Sequence, residues 1–310
     1  MSPAKSLLSW FDKTARDLPW RHHRTLYSTV VSEFMLQQTR VSTALPYFEK
    51  WMSRFPDFAS VAKATETEVL AHWQGLGYYN RARRLQQVCK ALGTTPPQAT
   101  VEFWLSLPGI GDYTARAILS MHYGLPLLAW DGNLLRVFSR LGATNDIATD
   151  GITRRWMKPL TLRERKVLNE ALMDLGATIC TPKNPQCPQC PLRGHCKAFQ
   201  QRRTGEFPVR KVVPNNSLEM HRGLYATGTH IALLQNQNKS SSLFGFWELP
   251  LCEPKGTQLA VIKRSIGKHS IREHVYKLLT PPRGTKLLPI VNLGDMPVSG
   301  PHKKYISTIK

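Results

Sequence analysis

Residues 107–121 read LPGIGDYTARAILSM, a short turn set between two helical patterns. VEFWLS runs into it from residue 101, and a new helix opens after Gly111. Gly109 and Gly111 around one apolar residue, Ile110, allow a tight turn that leaves consecutive backbone N–H groups free at a helix N-terminus. Such a turn is a ready place for a phosphate, although Gly-x-Gly between helices is most often only a turn.

Working outward, the pattern from about residue 4 to residue 200 is helical. FEKWMSRFPDFASVAK (48–63) and ETEVLAHWQGLGYYNRARRLQQVCKAL (66–92) repeat their apolar positions at three and four, with Pro and Gly as punctuation. After Phe199 the texture changes. QQRRTGEFPVRKVVPNN is polar, basic and aperiodic, and residues 201–217 read as a linker. Beyond it, LYATGTHIALLQ, FGFWELP and HVYKLL are short runs rich in β-branched and aromatic residues. The fold class expected is therefore multidomain: an all-α domain over 1–200 and a smaller α+β domain over 218–310.

The charge narrows the partner. Lys plus Arg number 42 against 21 Asp plus Glu, a net charge of +21 over 310 residues, which favours a polyanion. A basic membrane-surface protein would gather this charge in one amphipathic helix or tail, whereas here it is spread along the chain. There is no apolar run of about 18 residues and no secretory signal pattern, so no membrane partner and an intracellular place are expected, cytoplasm and nucleoid if the source is bacterial.

Four of the six cysteines fall in CTPKNPQCPQCPLRGHC: Cys180, Cys187, Cys190 and Cys196, spaced Cys-x6-Cys-x2-Cys-x5-Cys. Four thiolates on one Pro-rich loop suit zinc or an iron–sulfur cluster. Zinc sites usually pair two Cys-x2-Cys knuckles, and only one is present here.

Two acids stand out. Glu33, in SEFMLQQTR (32–40), interrupts an apolar helical run with Val30, Val31, Phe34 and Met35 around it. Asp131, with Asn133, precedes an apolar helix in LLAWDGNLLRVFSRLG, where an aspartate is most often an N-cap.

The cysteine loop and the hairpin together resemble those of the endonuclease III superfamily of DNA glycosylases. LPWR (18–21), SEFMLQQTRV, GLGYYNRARRL (75–85), LPGIGDYTARAILS, DGNLLRVFSRLGA (131–143) and NEALMDLGATIC (169–180) occur in order, and over residues 5–200 the chain resembles the adenine DNA glycosylases of the MutY family. The resemblance implies a helix-hairpin-helix glycosylase domain with a [4Fe-4S] cluster on the four cysteines, and Lys183, Arg193 and Lys197 near DNA phosphates. It implies a monomer acting on double-stranded DNA, hydrolysing the glycosidic bond of adenine mispaired with 8-oxoguanine or guanine in base excision repair. Glu33 would protonate the purine at N7 and Asp131 would support the sugar cation, with Asn133 orienting that second acid or the water. For Glu33 to hold a proton near neutrality its pKa must be raised, which the apolar neighbours favour.

Tyr113 stands where the lyases of the superfamily carry a lysine. A phenol cannot form an imine, so a monofunctional glycosylase is expected. Gln38 and Tyr78 match intercalating positions, with Gln37 the neighbour most easily confused with Gln38. Leu107, Gly109 and Gly111 form the DNA-binding hairpin. Leu18, Trp20, Arg21 and Glu170 match positions lining the adenine pocket, although Trp20 also reads as a core residue, and Tyr79 reads as core.

The resemblance also implies a Nudix-like C-terminal domain that senses 8-oxoguanine. Glu219, Glu248, Glu253, Glu273 and Asp295 are the only acids from residue 211 onward, so pyrophosphohydrolase activity is not expected. The family's Phe-Ser-His loop is replaced by KHSIREHVYKLL, where Lys268, His269, Ser270 and Arg272 suit phosphate contacts instead. The rivals are a mismatch thymine or uracil glycosylase of the same fold, disfavoured because pyrimidine release needs no N7 donor, and a non-catalytic iron–sulfur DNA-binding protein, disfavoured by the intact pair of acids.

Overall fold

A computed structural model describes the whole chain except residues 1, 23, 210–215, 239–240, 242, 267–268, 295 and 309–310, and except the side chains of residues 94, 216, 265, 266 and 269. It divides into two compact units, Met1–Lys63 with Arg84–Lys211, and Ala64–Arg83 with Val212–Lys310.

The first unit is helical. Its longest helix, Leu162–Thr178, starts at a capping box in which Thr161 and Glu164 satisfy each other's backbone N–H groups. Leu168, Ala171, Leu172 and Leu175 follow at helical spacing and are buried against Leu134, Val137 and Phe138 of helix Gly132–Gly142 and Leu7, Leu8 and Phe11 of helix Pro3–Thr14. At about 2 kcal/mol for each fully buried leucine or phenylalanine, this core is what holds the unit together. No helix among the described residues is long and apolar enough to cross a membrane.

The hairpin lies between helices Val101–Leu105 and Asp112–Ile118. Gly109 has φ +82°, and a Cβ there would sit 2.6 Å from Arg84 Cδ. Both facts demand glycine. Gly109→Ala is expected to destabilise the protein by about 2 kcal/mol, combining left-handed strain with the push on Arg84; an unchanged denaturant midpoint would contradict this. Gly111 differs, with an ordinary φ of −95° and open space where a Cβ would point. The Leu107 side chain is buried and anchors the turn, so what it can offer a phosphate is its backbone.

The second unit has two small sheets. β1 (Asn216–Leu224), β4 (Gln258–Ile266) and β5 (His269–Lys277) are ordered β1-β5-β4, with β1 parallel and β4 antiparallel to β5. β2 (His230–Gln235), β3 (Trp247–Glu248) and β6 (Lys286–Pro289) form an antiparallel set ordered β3-β2-β6. Leu224, Ile231, Leu233, Trp247, Val275 and Ile306 make their core. The stretch LYATGTHIALLQ is the end of β1, a turn, and β2, because Thr227 and His230 close on each other there.

Ser270 and Arg272 lie within β5, a central strand, and not in a free loop; Lys268 and the His269 side chain fall outside the described residues. Glu273 is fully buried and accepts from Arg222 Nε at 2.9 Å, Arg264 Nη2 at 2.9 Å and His302 Nε2 at 3.0 Å. Burial pushes Glu273 up, but His302, Arg222 and Arg264 outweigh it and hold it down at about 2. Glu248 joins the same arginines, and Glu219 pairs with His274.

Candidate active site

Helix Leu26–Leu36 carries Glu33 into a cavity of roughly 450 Å³, its open mouth included, that is also lined by Leu18, Trp20, Arg21 and Glu170. The residues matched to the adenine pocket therefore converge. Trp20 serves both readings, packing edge-on to Phe48 at 5.2 Å while lining the cavity.

Glu33 is 5% exposed, with Val30, Val31 and Phe34 fully buried beside it in the helix. Burial lifts it from the ordinary 4.5 to about 7; the nearby Tyr113 hydroxyl pulls it back, and the negative charges of Glu170 and Asp131 lift it further. Near neutrality, protonated and ionised forms are both populated. Burial also raises Tyr113 well above its ordinary value, with Glu33 and Asp131 adding to the effect, so its phenol stays a donor.

Asp131 is half-buried at the N-terminus of helix Gly132–Gly142. One carboxylate oxygen accepts from Leu134 N at 2.7 Å and the other from Asn133 Nδ2 at 2.9 Å. It is thus an N-cap, and the same helix terminus favours its negative charge. Asn133 is locked in turn, because its Oδ1 accepts from Arg136 Nη2 at 2.7 Å. Arg136 also donates to the carbonyls of Gly176 and Cys180, both at 2.8 Å. Gly176 lets the two helices touch here, since a Cβ on it would sit 2.7 Å from Asn133 Cβ.

Charges behind the pocket are paired. Glu170 accepts from Arg21 Nε at 3.1 Å and from Arg24 Nη2, and Asp174 accepts from Arg21 and Arg16. Burial pushes Asp174 up, but Arg21 and Arg16 outweigh it and hold it below the usual range. Arg16, Arg24, Arg136, Asp174 and Gly176 were not singled out in the sequence. One signal was available: Glu170 and Asp174 stand four apart on a helix whose neighbouring positions are apolar, and two like charges on one buried face require cations.

Gln37 and Gln38 separate. Gln37 Nε2 donates to Thr114 Oγ1 at 3.3 Å and to Gly109 O, bracing the hairpin from within. Gln38 is exposed on a turn with φ +57°. In the second unit Tyr78 has φ +50° and is 48% exposed, while Tyr79 is buried against Phe246 as a core residue. Non-glycine residues in this conformation are uncommon and are found where function holds them. Ser270 and His269 lie in β5 of the second unit.

The four cysteine thiols lie within electrostatic reach of one another. Burial pushes Cys190 up to about 12, with Cys180, Cys196 and Cys187 adding to the rise. Burial also raises Cys187 and Cys196, and thiols that resist ionisation suit a cationic group that removes their protons. Among the described residues no three such side chains close to the coordination sphere of a single ion, and a cluster with several irons between its ligands does not require that. Arg140, 2% exposed, fastens the loop, donating to Thr181 O at 2.8 Å and Phe207 O at 3.0 Å and approaching Cys180 Sγ at 3.4 Å.

Residues 31–161 match the family model described as HhH-GPD superfamily base excision DNA repair protein, and residues 180–196 that described as iron-sulfur binding domain of endonuclease III. The adenine DNA glycosylase of Buchnera aphidicola subsp. Baizongia pistaciae is 32% identical over 263 residues, which cover 81% of this chain and 73% of that protein. The chain belongs to the adenine DNA glycosylase family. Family members from Mus musculus and Homo sapiens are each 39% identical, over 65% and 63% of this chain. The matches cover 42% and 39% of those two glycosylases, so the chain spans less than half their length. A thermostable thymine-DNA glycosylase shares the helical fold at 24% identity and a TM-score of 0.57, covering 64% of this chain and 95% of that one. Endonuclease III in a non-covalent DNA complex does so at 22% and 0.54, covering 64% and 94%. This adenine DNA glycosylase family member carries a [4Fe-4S] cluster, and the matched iron–sulfur domain, residues 180–196, contains Cys180, Cys187, Cys190 and Cys196.

Proposed function

We propose that this chain is a monofunctional adenine DNA glycosylase, removing adenine mispaired with 8-oxoguanine or guanine from double-stranded DNA in base excision repair. The observation that carries the reading is Glu33, a buried carboxyl poised at about 7 in the wall of the cavity that Leu18, Trp20, Arg21 and Glu170 also line. The comparisons support it through the named family members.

The reaction follows from the groups in place. The target adenine leaves the stack, at roughly a few kcal/mol, and enters the cavity. Glu33 passes its proton to N7 as the C1′–N9 bond breaks, so the electron pair returns to a base that departs neutral. Positive charge grows on the sugar, and Asp131, held by Leu134 N and Asn133, faces it with a fixed negative charge. Water adds at C1′ and gives up a proton to a carboxylate. The phenol of Tyr113, near enough to lower the Glu33 pKa, steadies the carboxylate after it has given its proton. Tyr113 offers no amine for an imine, so strand cleavage by β-elimination is not expected. When bound, the cluster supplies four covalent ties that close the 180–196 loop, placing Lys183, Arg193 and Lys197 for phosphates.

Gln38 and Tyr78 fill the gap left by the extruded base, and the hairpin backbone at Gly109 and Gly111 takes a phosphate. The second unit is read as Nudix-like and as the part that senses the opposite base, with Ser270 and Arg272 offered to phosphates. A monomer acting inside the cell completes the proposal.

Single-turnover cleavage of duplexes holding A opposite 8-oxoguanine, A opposite G, T opposite G and U opposite G tests it. Adenine release from the first two is expected. Preferential release of thymine or uracil would establish the rival glycosylase, and binding with no base released would establish the non-catalytic one.

A further inference from the structure

A wedge that enters DNA has to stand ready before DNA arrives. In the Gly75–Tyr78 turn three residues are left-handed, Gly75 at φ +101°, Gly77 at +76° and Tyr78 at +50°, and the Tyr78 ring is 48% exposed. Glycine accepts this conformation freely, but tyrosine does not, and an aromatic ring in water gains by folding back. Something must hold it.

Arg81 lies beneath the turn, at the start of helix Asn80–Thr94, and is only 6% exposed. Its Nη2 donates to Gly77 O at 3.0 Å and to Leu76 O at 3.3 Å, and its backbone N–H donates to Tyr78 O at 2.8 Å. Its guanidinium carbon lies 5.3 Å from the Tyr78 ring centre and 5.4 Å from that of Trp73. Trp73 Nε1 donates to Gly77 O as well, at 3.1 Å. A buried cation is costly, and methionine would fill similar space more cheaply. Only a planar guanidinium can bond turn carbonyls through its edge while its carbon stays within cation–π range of two aromatic rings.

Resting on the reading of Tyr78 as the wedge, we propose that Arg81 is its positioning residue, fixing the turn so that the Tyr78 ring is presented for insertion. Arg81 then governs extrusion of the adenine without touching the DNA. The commitment is to insertion and flipping, and not to bond cleavage in the cavity.

The test is a double-mutant cycle in the full-length cluster-loaded protein: Arg81→Lys, Tyr78→Ala and both together, with Arg81→Met as a neutral companion. Adenine release opposite 8-oxoguanine is measured under single turnover, base extrusion by the fluorescence of 2-aminopurine at the target position, and folding by thermal unfolding. Arg81→Lys is expected to lower extrusion and release together by about tenfold, with little change in melting temperature, and to have no further effect once Tyr78 is alanine. If the two substitutions multiply, or if Arg81→Lys matches the parent while Tyr78→Ala is impaired, the proposal is overturned and the wedge reading stands. If Tyr78→Ala itself releases adenine at the parental rate, the wedge reading fails and the proposal falls with it.

Discussion

Glu33→Gln is expected to lower single-turnover adenine release by about a thousandfold, because glutamine keeps the shape of the side chain but has no proton to give. The parent's rate should fall as pH rises through about 7, roughly tenfold for each further unit, because only the protonated acid can protonate the purine. A Glu33→Gln enzyme at the parental rate would remove the proposed acid. The same group predicts a stability difference. Its pKa is raised from 4.5 to about 7 on folding, so the folded state binds more protons than the unfolded one between those values. Stability is therefore lost as pH rises through that window, and above it the buried charge destabilises the fold by up to about 3 kcal/mol. Glu33→Gln should accordingly melt higher than the parent at pH 8 and lose that advantage below pH 4.5. An enzyme that becomes more stable while losing its activity is the expected mark of a strained catalytic acid.

Asp131→Asn separates capping from catalysis. Asparagine caps helices about as well as aspartate, and its oxygen can still accept from Leu134 N. The second bond is lost, because Asn133 presents its NH2 to this position while its oxygen is held by Arg136. Folding should therefore lose only about 1 kcal/mol. Adenine release should fall by about a hundred- to a thousandfold, since a neutral amide no longer faces the growing positive charge. Parental activity in Asp131→Asn, with the fold intact by circular dichroism, would reduce Asp131 to a cap.

Much of the site was legible because it is written locally. The apolar neighbours of Glu33 announced its raised pKa, and the structure adds the opposing hydroxyl of Tyr113 and the charges of Glu170 and Asp131. The Gly-x-Gly hairpin and the cysteine loop are short segments whose spacing alone constrains their geometry. The second unit was less legible. β4, QLAVIKRSI, carries Lys263, Arg264 and Ser265 among its apolar residues and was not read as a strand. Glu273 falls in the stretch taken as a loop, yet it is buried in a strand, and only the approach of Arg222, Arg264 and His302 makes that burial tolerable.

Residue identity and local spacing carried the proposed chemistry: a carboxyl among apolar side chains, a phenol where an amine would make a lyase, four thiols on one loop. Which groups support that chemistry from a distance was settled by folding. Arg24 reaches Glu170 across 146 residues, Arg136 reaches the Cys180 carbonyl across 44, and Gly176 is required because Asn133 of another helix lies 2.7 Å from where its Cβ would be. Leu107 anchors the hairpin through its buried side chain for the same reason. Local spacing dictates turns and helices, whereas burial, pairing and close approach belong to the neighbour a residue meets only when helices pack.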